Sequence, residues 1–220
     1  MAFGTGVLIA TLTFSILVDA FSVTHALPAT AVGFILGGVS FTIANYILER
    51  KSKSRASDAI DVGRSPDENA AAEKPASGQS LFIGSLMDNI PENAALGITL
   101  ATGGAINIAL LVAIFVSNFP EGLASTNDMK SSGLSSKYVL VLWSIGVGVA
   151  AVATTMGYGI LSNASPPIIS ISIAFAAGAI IVMLAESMIP EAFERGGVRK
   201  GLALLGGFLI AAFLTMVQGE

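Results

Sequence analysis

The placement of the basic residues constrains this chain more than any other feature. Seven apolar segments run approximately over 4–23, 27–48, 80–102, 105–126, 138–161, 167–188 and 200–217. Each has about the 20 residues a helix needs to cross a hydrocarbon core. All eleven Lys and Arg residues fall in alternate connections. Arg50, Lys51, Lys53, Arg55, Arg64 and Lys74 follow the second segment, Lys130 and Lys137 the fourth, and Arg195, Arg199 and Lys200 the sixth. The other connections, His25 to Pro28, Thr102 to Ile106 and Ser162 to Pro167, contain none. Basic residues collect in cytoplasmic loops, so seven alternating spans put the N-terminus in the cytoplasm and the C-terminus outside. A wrong span count would scatter the charges.

Composition agrees. The chain is 53% hydrophobic and 12% charged, where a soluble domain carries about twice that charge, and its mean hydropathy is +0.77. The expected fold is an all-α polytopic membrane helix bundle in the plasma membrane, with the lipid bilayer as its surroundings and a homodimer admitted as an assembly. With no cysteine, disulfides and thiolate metal sites are excluded. Met1 opens almost directly into an apolar segment, so no cleavable leader is expected. Residues 49–79 hold almost no large apolar side chain and are expected to form a disordered cytoplasmic linker. The chain thus divides into 1–48 with two spans, the loop 49–79, and 80–220 with five spans. Gly33, Gly37, Gly38, Gly146, Gly148, Gly201, Gly206 and Gly207 are read as close helix packing. Pro166-Pro167 is read as a helix start, where proline's missing N–H costs nothing.

One tetrapeptide pattern occurs twice inside apolar sequence: Asn89-Ile90-Pro91-Glu92 and Asn118-Phe119-Pro120-Glu121. An acid at the middle of a membrane helix costs roughly 2.5–3.5 kcal/mol on insertion scales, which argues for a purpose. Five acids lie in or at the ends of spans, Asp19, Asp88, Glu92, Glu121 and Glu186, and no Lys or Arg shares their depth. Such acids must be protonated, face water or bind cations. Asp88 and Glu92 are stacked at i and i+4 on one helix face, with Asn89 beside them, and Ser117, Asn118 and Glu121 repeat the arrangement. Each proline also removes the hydrogen bond its own N–H would make. This frees the carbonyls of Met87 and Val116 either to serve as further oxygen ligands or to be hydrated. Two such helices packed together offer three carboxylates, two amide oxygens and a hydroxyl, a set suited to a divalent cation. Asp19 and Glu186 are read as wetted span ends or parts of a vestibule, Glu191 and Glu194 as cytoplasmic surface, and His25 as a solvated loop residue.

At these residues the chain resembles the ZIP family of divalent metal transporters. Asp88-Asn89-Ile90-Pro91-Glu92 is similar to the family's His-Asn-x-Pro-Glu motif, and Ser117-Asn118-Phe119-Pro120-Glu121-Gly122-Leu123-Ala124 to its second copy. The stretches Ala177-Gly178-Ala179 and Glu186-Ser187-Met188-Ile189-Pro190-Glu191-Ala192 resemble a later span. The resemblance implies an inverted-repeat bundle with a metal site between the two motif helices. Asn89, Glu92, Asn118 and Glu121 fall at ligand positions, and Asp88 and Ser117 stand where the family has histidine. No acid occurs from Ser144 to Tyr158, where the family carries a glutamate (Ala150 is the nearest match). Ala2-Phe3-Gly4-Thr5-Gly6-Val7 resembles the start of the family's second span, so the first span is expected to be missing.

The expected function is transport of a divalent cation through Asp88, Asn89, Glu92, Ser117, Asn118 and Glu121, with the metal as substrate and no resident cofactor. Oxygen ligands favour manganese or iron(II), whereas the family favours zinc. Two alternatives are a metal-binding relative that has lost transport and an intramembrane metal-dependent hydrolase. For the hydrolase there is no H-E-x-x-H cluster and no nucleophile–base pair, so a non-enzyme is expected.

Overall fold

The computed structural model describes residues 1–60, 78–103, 106–194 and 199–218, and these are helical apart from short connections. Helix α1 comprises Ala2–Thr11, a π-helical turn at Leu12–Ile16, and Leu17–Ser22. Then come α2 (Leu27–Ile60), α3 (Gly78–Gly103), α4 (Ile108–Ser131) and α5 (Ser136–Leu161). Helix α6 comprises Pro166–Met183, a second π-helical turn at Leu184–Met188, and Ile189–Glu194, and α7 is Arg199–Gln218. No strand occurs among the described residues.

Local chemistry sets the helix ends. The Asn107 side-chain oxygen accepts the Leu110 N–H at 2.9 Å and caps α4, as the Ser135 hydroxyl accepts the Tyr138 N–H at 3.3 Å for α5. Pro166 and Pro167 open α6. Gly133, at φ 85°, makes the turn between α4 and α5, a conformation glycine adopts without steric cost. Helix α2 continues to Ile60, into the stretch 49–79 expected to be a disordered loop. The remainder of that loop, 61–77, lies outside the described residues.

Six of the seven helices contain a stretch long and apolar enough to cross a membrane: Ala2–Ser22, Leu27–Ile47, Ile108–Ser131, Ser136–Leu161, Pro166–Phe193 and Arg199–Val217. The sequence reading expects seven. The difference is α3, whose apolar run is broken by Ser85, Asp88, Asn89, Glu92 and Asn93. This helix is shielded by protein instead, packing along α5, α4 and α6. Its polar groups therefore meet other helices rather than lipid, the condition on which a bilayer tolerates them. The core lies between α1, α4 and α6, where Leu8, Ile16, Leu110, Ile173, Ile180, Met183 and Leu184 are all buried.

Backbone-to-backbone contact at glycine holds the helices together. A Cβ on Gly6 would overlap the Leu204 carbonyl, and one on Gly207 the Phe3 carbonyl, so α1 and α7 are locked from both sides. Helices α6 and α2 repeat the arrangement, Gly178 against the Phe34 carbonyl and Gly37 against the Phe175 carbonyl. The likeness extends along the chain: Gly6 precedes the π-turn of α1 at the same spacing as Gly178 precedes that of α6. With spans that alternate in direction, α1 and α6 point opposite ways, so α1–α7 and α6–α2 are one unit used twice in inverted orientation. A third reciprocal contact, Gly97 on Thr154 and Gly157 on Ala94, joins α3 to α5. In lipid such close approach supplies the packing that hydrophobic burial supplies in water.

Gly178→Leu would force α6 off α2 at the Phe34 carbonyl, an overpacking cost of about 1–3 kcal/mol or more. Thermal unfolding in detergent should show a clear fall in melting temperature for Gly178→Leu. Gly148→Leu, where nothing lies within 4 Å of a new Cβ, should melt like the parent.

Candidate metal centre

The structure brings the two motif copies together. Asn89 on α3 and Asn118 on α4 exchange hydrogen bonds: the Asn118 amide donates to Asn89 Oδ1 at 2.9 Å, and the Asn89 amide donates to Asn118 Oδ1 at 3.4 Å. Each helix also supports the other's glutamate. Ser85 of α3 donates to Glu121 Oε2 at 3.1 Å, and Asn118 of α4 donates to Glu92 Oε2 at 3.5 Å. The site is thus cross-braced, and the bracing sets its register. In this antiparallel pair Asn89 and Asn118 are level, Glu121 lies towards the end of the bundle where α4 finishes at Ser131, and Glu92 lies towards the opposite end.

The acids are enclosed. Glu92 is 1% exposed, Asp88 6% and Glu121 8%. The Asp88 carboxylate accepts no hydrogen bond among the described residues, and its electrostatic neighbours are Glu121 and Glu191. Glu121 has Glu191 and the oppositely charged Met1 ammonium among its neighbours. Among the described residues no three Asp, Glu or His side chains converge closely enough to cage a metal ion. The amide oxygens of the pair already accept hydrogen bonds, Asn89 Oδ1 from Asn118 and Asn93 and Asn118 Oδ1 from Asn89. A cation entering between the helices would have to exchange those bonds for bonds to itself.

Three features differ from what the sequence suggests. The Val116 carbonyl freed by Pro120 is not open as a ligand: α1 lies against it, and a Cβ on Gly4 would sit 3.2 Å from that oxygen and 2.9 Å from Ser117 Cα. Ser117 is fully buried, and its hydroxyl donates to the Ile114 carbonyl of its own helix at 3.1 Å. Glu191, expected on the cytoplasmic surface, is half-buried and acts electrostatically on both Asp88 and Glu121.

Two supporting residues escaped the sequence reading. Asn93 donates to the Asn89 backbone carbonyl at 2.8 Å and to Asn89 Oδ1 at 3.0 Å, fixing which way that amide points. Ser85 orients Glu121. The available signal was helical spacing, since Ser85, Asn89 and Asn93 form an i, i+4, i+8 stripe on α3. The other acids lie elsewhere. Glu186 is exposed in the π-turn of α6 and accepts hydrogen bonds from Thr42 at 3.2 Å and Asn45 at 2.9 Å. Asp19 is half-exposed beside Ser15, whose hydroxyl receives the Asn107 amide at 2.6 Å. His25 occupies the turn between α1 and α2 at φ 51°, its ring edge-on to Phe21.

No protein-family model matches the chain. A curated Arabidopsis thaliana protein named "Putative zinc transporter" is 30% identical over 117 residues. The match takes in 52% of this chain and 19% of that relative, so the chain spans about a fifth of the relative's length.

The reciprocal amide contact can be measured. A double-mutant cycle of Asn89→Ala and Asn118→Ala, read by unfolding in detergent, should return a coupling of about 0.5–2 kcal/mol, the range of interhelical hydrogen bonds in membranes. Independent sites would return none.

Proposed function

We propose that the chain moves a divalent metal cation across the membrane between α3 and α4, with Asp88, Asn89, Glu92, Asn118 and Glu121 as its oxygen ligands and Ser117 beside them. One observation carries this reading. Three buried carboxylates and two half-buried amides lie on facing helices with no lysine or arginine at their depth. Buried carboxylates are costly without a proton or a counter-charge, and beyond the Met1 ammonium near Glu121 a bound cation is the partner that fits their acceptor oxygens. The similarity to a relative named as a zinc transporter supports the same reading.

In the proposed cycle a hydrated cation reaches Glu92 from the end opposite the basic loops and exchanges water for the Glu92 carboxylate. It then displaces the Asn89–Asn118 hydrogen bonds, taking both amide oxygens, and passes to Asp88 and Glu121. Ser85 and Asn93 keep Glu121 and Asn89 oriented while this happens. The paired units α1–α7 and α6–α2 flank the site, the arrangement on which alternating access by rocking is built. With Asp88 and Ser117 in place of nitrogen ligands, a hard ion such as manganese or iron(II) suits the site, and zinc is the softer alternative. The reading places the basic loops in the cytoplasm of a plasma-membrane protein.

The test is uptake of zinc, manganese and iron(II) into proteoliposomes. The native chain should accumulate at least one of them, and Glu92→Ala with Glu121→Ala should abolish it. Uptake that survives the double substitution, or no uptake of any ion, would refute the reading. Asp88→His adds an imidazole nitrogen and should shift preference towards zinc when the ions compete.

A further inference from the structure

The carboxylates are arranged in depth rather than around one point. The Asn89–Asn118 pair marks the middle of the site. Glu92 lies on one side of it, and the Ser85–Glu121 bond on the side of the basic residues Lys130 and Arg199. Glu191 extends the series in that direction. It belongs to Ile189–Glu194, the last turns of α6, which pack on the first turns of α1. Those turns contact the motif helix in turn, with Gly4 pressed on Ser117. Glu191 is half-buried there and lies within electrostatic reach of both Asp88 and Glu121.

Asp88 supplies the second observation. It is 6% exposed, accepts no hydrogen bond among the described residues, and has the carboxylates of Glu121 and Glu191 as its electrostatic neighbours. A buried carboxyl with two others in electrostatic reach and no hydrogen-bond donor among the described residues is relieved by taking up a proton or a cation. No three of these acids close into a cage, so the spacing suits successive occupation better than chelation.

We propose that Glu191 is the step through which a divalent cation leaves the Asp88–Glu121 tier for the basic end of the bundle. The inference rests on the transport reading for its direction, but the placement of Glu191 against the cation is testable without transport. The chain has no cysteine, so Glu191→Cys introduces its only thiol. Its labelling by a membrane-impermeant maleimide should slow about tenfold when manganese(II), a poor thiol ligand, saturates the protein in lipid nanodiscs. The slowing should disappear in an added Asp88→Asn, Glu121→Gln background, and Asp128→Cys at the same end should be indifferent to manganese. Equal labelling rates with and without manganese would overturn the proposal, as would slowing that survives removal of Asp88 and Glu121. In proteoliposomes, Glu191→Gln should lower manganese uptake about tenfold while equilibrium manganese binding in detergent stays near native, whereas native uptake would overturn the exit role. Manganese protection in a chain that takes up no ion would leave Glu191 at the cation site and refute transport itself.

Discussion

Hydrocarbon offers helices no reward for burying apolar surface against one another, so this bundle depends on how closely its backbones can approach. The three reciprocal glycine contacts, α1 with α7, α6 with α2, and α3 with α5, supply that approach. Each places a carbonyl of one helix where a side chain of the other would have to be. The consequence reaches the site. Helix α3 is too polar to face lipid and is carried by its contacts with α5, α4 and α6, so the glycine seam at Gly97 and Gly157 fixes the element that bears Asp88, Asn89 and Glu92.

Within that frame the site is built by exchange between two helices. Neither α3 nor α4 orients its own glutamate. Ser85 on α3 holds Glu121, Asn118 on α4 reaches Glu92, and the two asparagines hold each other. A shift of one helix along the other would break all of these at once. Under the proposed function the pair would exchange this amide-to-amide arrangement for one in which the amides bond a cation, the kind of discrete choice a transport step needs.

The two halves of the bundle are equivalent in packing but not in chemistry. The glycine contacts and the π-turns repeat between α1–α7 and α6–α2. The polar positions do not: the π-turn of α6 carries Glu186 with Thr42 and Asn45, whereas that of α1 carries Phe14 against Phe208. The motif copies differ in the same way, with Asp88 in one and Ser117 in the other. The proposed transport path would draw its direction from such asymmetry, because two identical halves would present the same affinity from both sides.

Much of this was legible in the sequence. Apolar length and the clustering of Lys and Arg marked out the helices, because a segment in lipid must satisfy its backbone internally, but not where they end: α2 runs on to Ile60, and among the described residues six rather than seven stretches are apolar enough to span. The repeated Asn-x-Pro-Glu pattern singled out Asn89, Glu92, Asn118 and Glu121, because an acid in an apolar run needs a reason to be there. The sequence could not say which helices touch, since that rests on the shape of whole surfaces rather than on local periodicity. Only the tertiary structure enclosed α3, too polar to face lipid, turned the Val116 carbonyl onto Gly4, and gave Ser85 and Asn93 partners. It alone brought Glu191 from the end of α6 to within electrostatic reach of Asp88, a residue more than a hundred positions earlier in the chain.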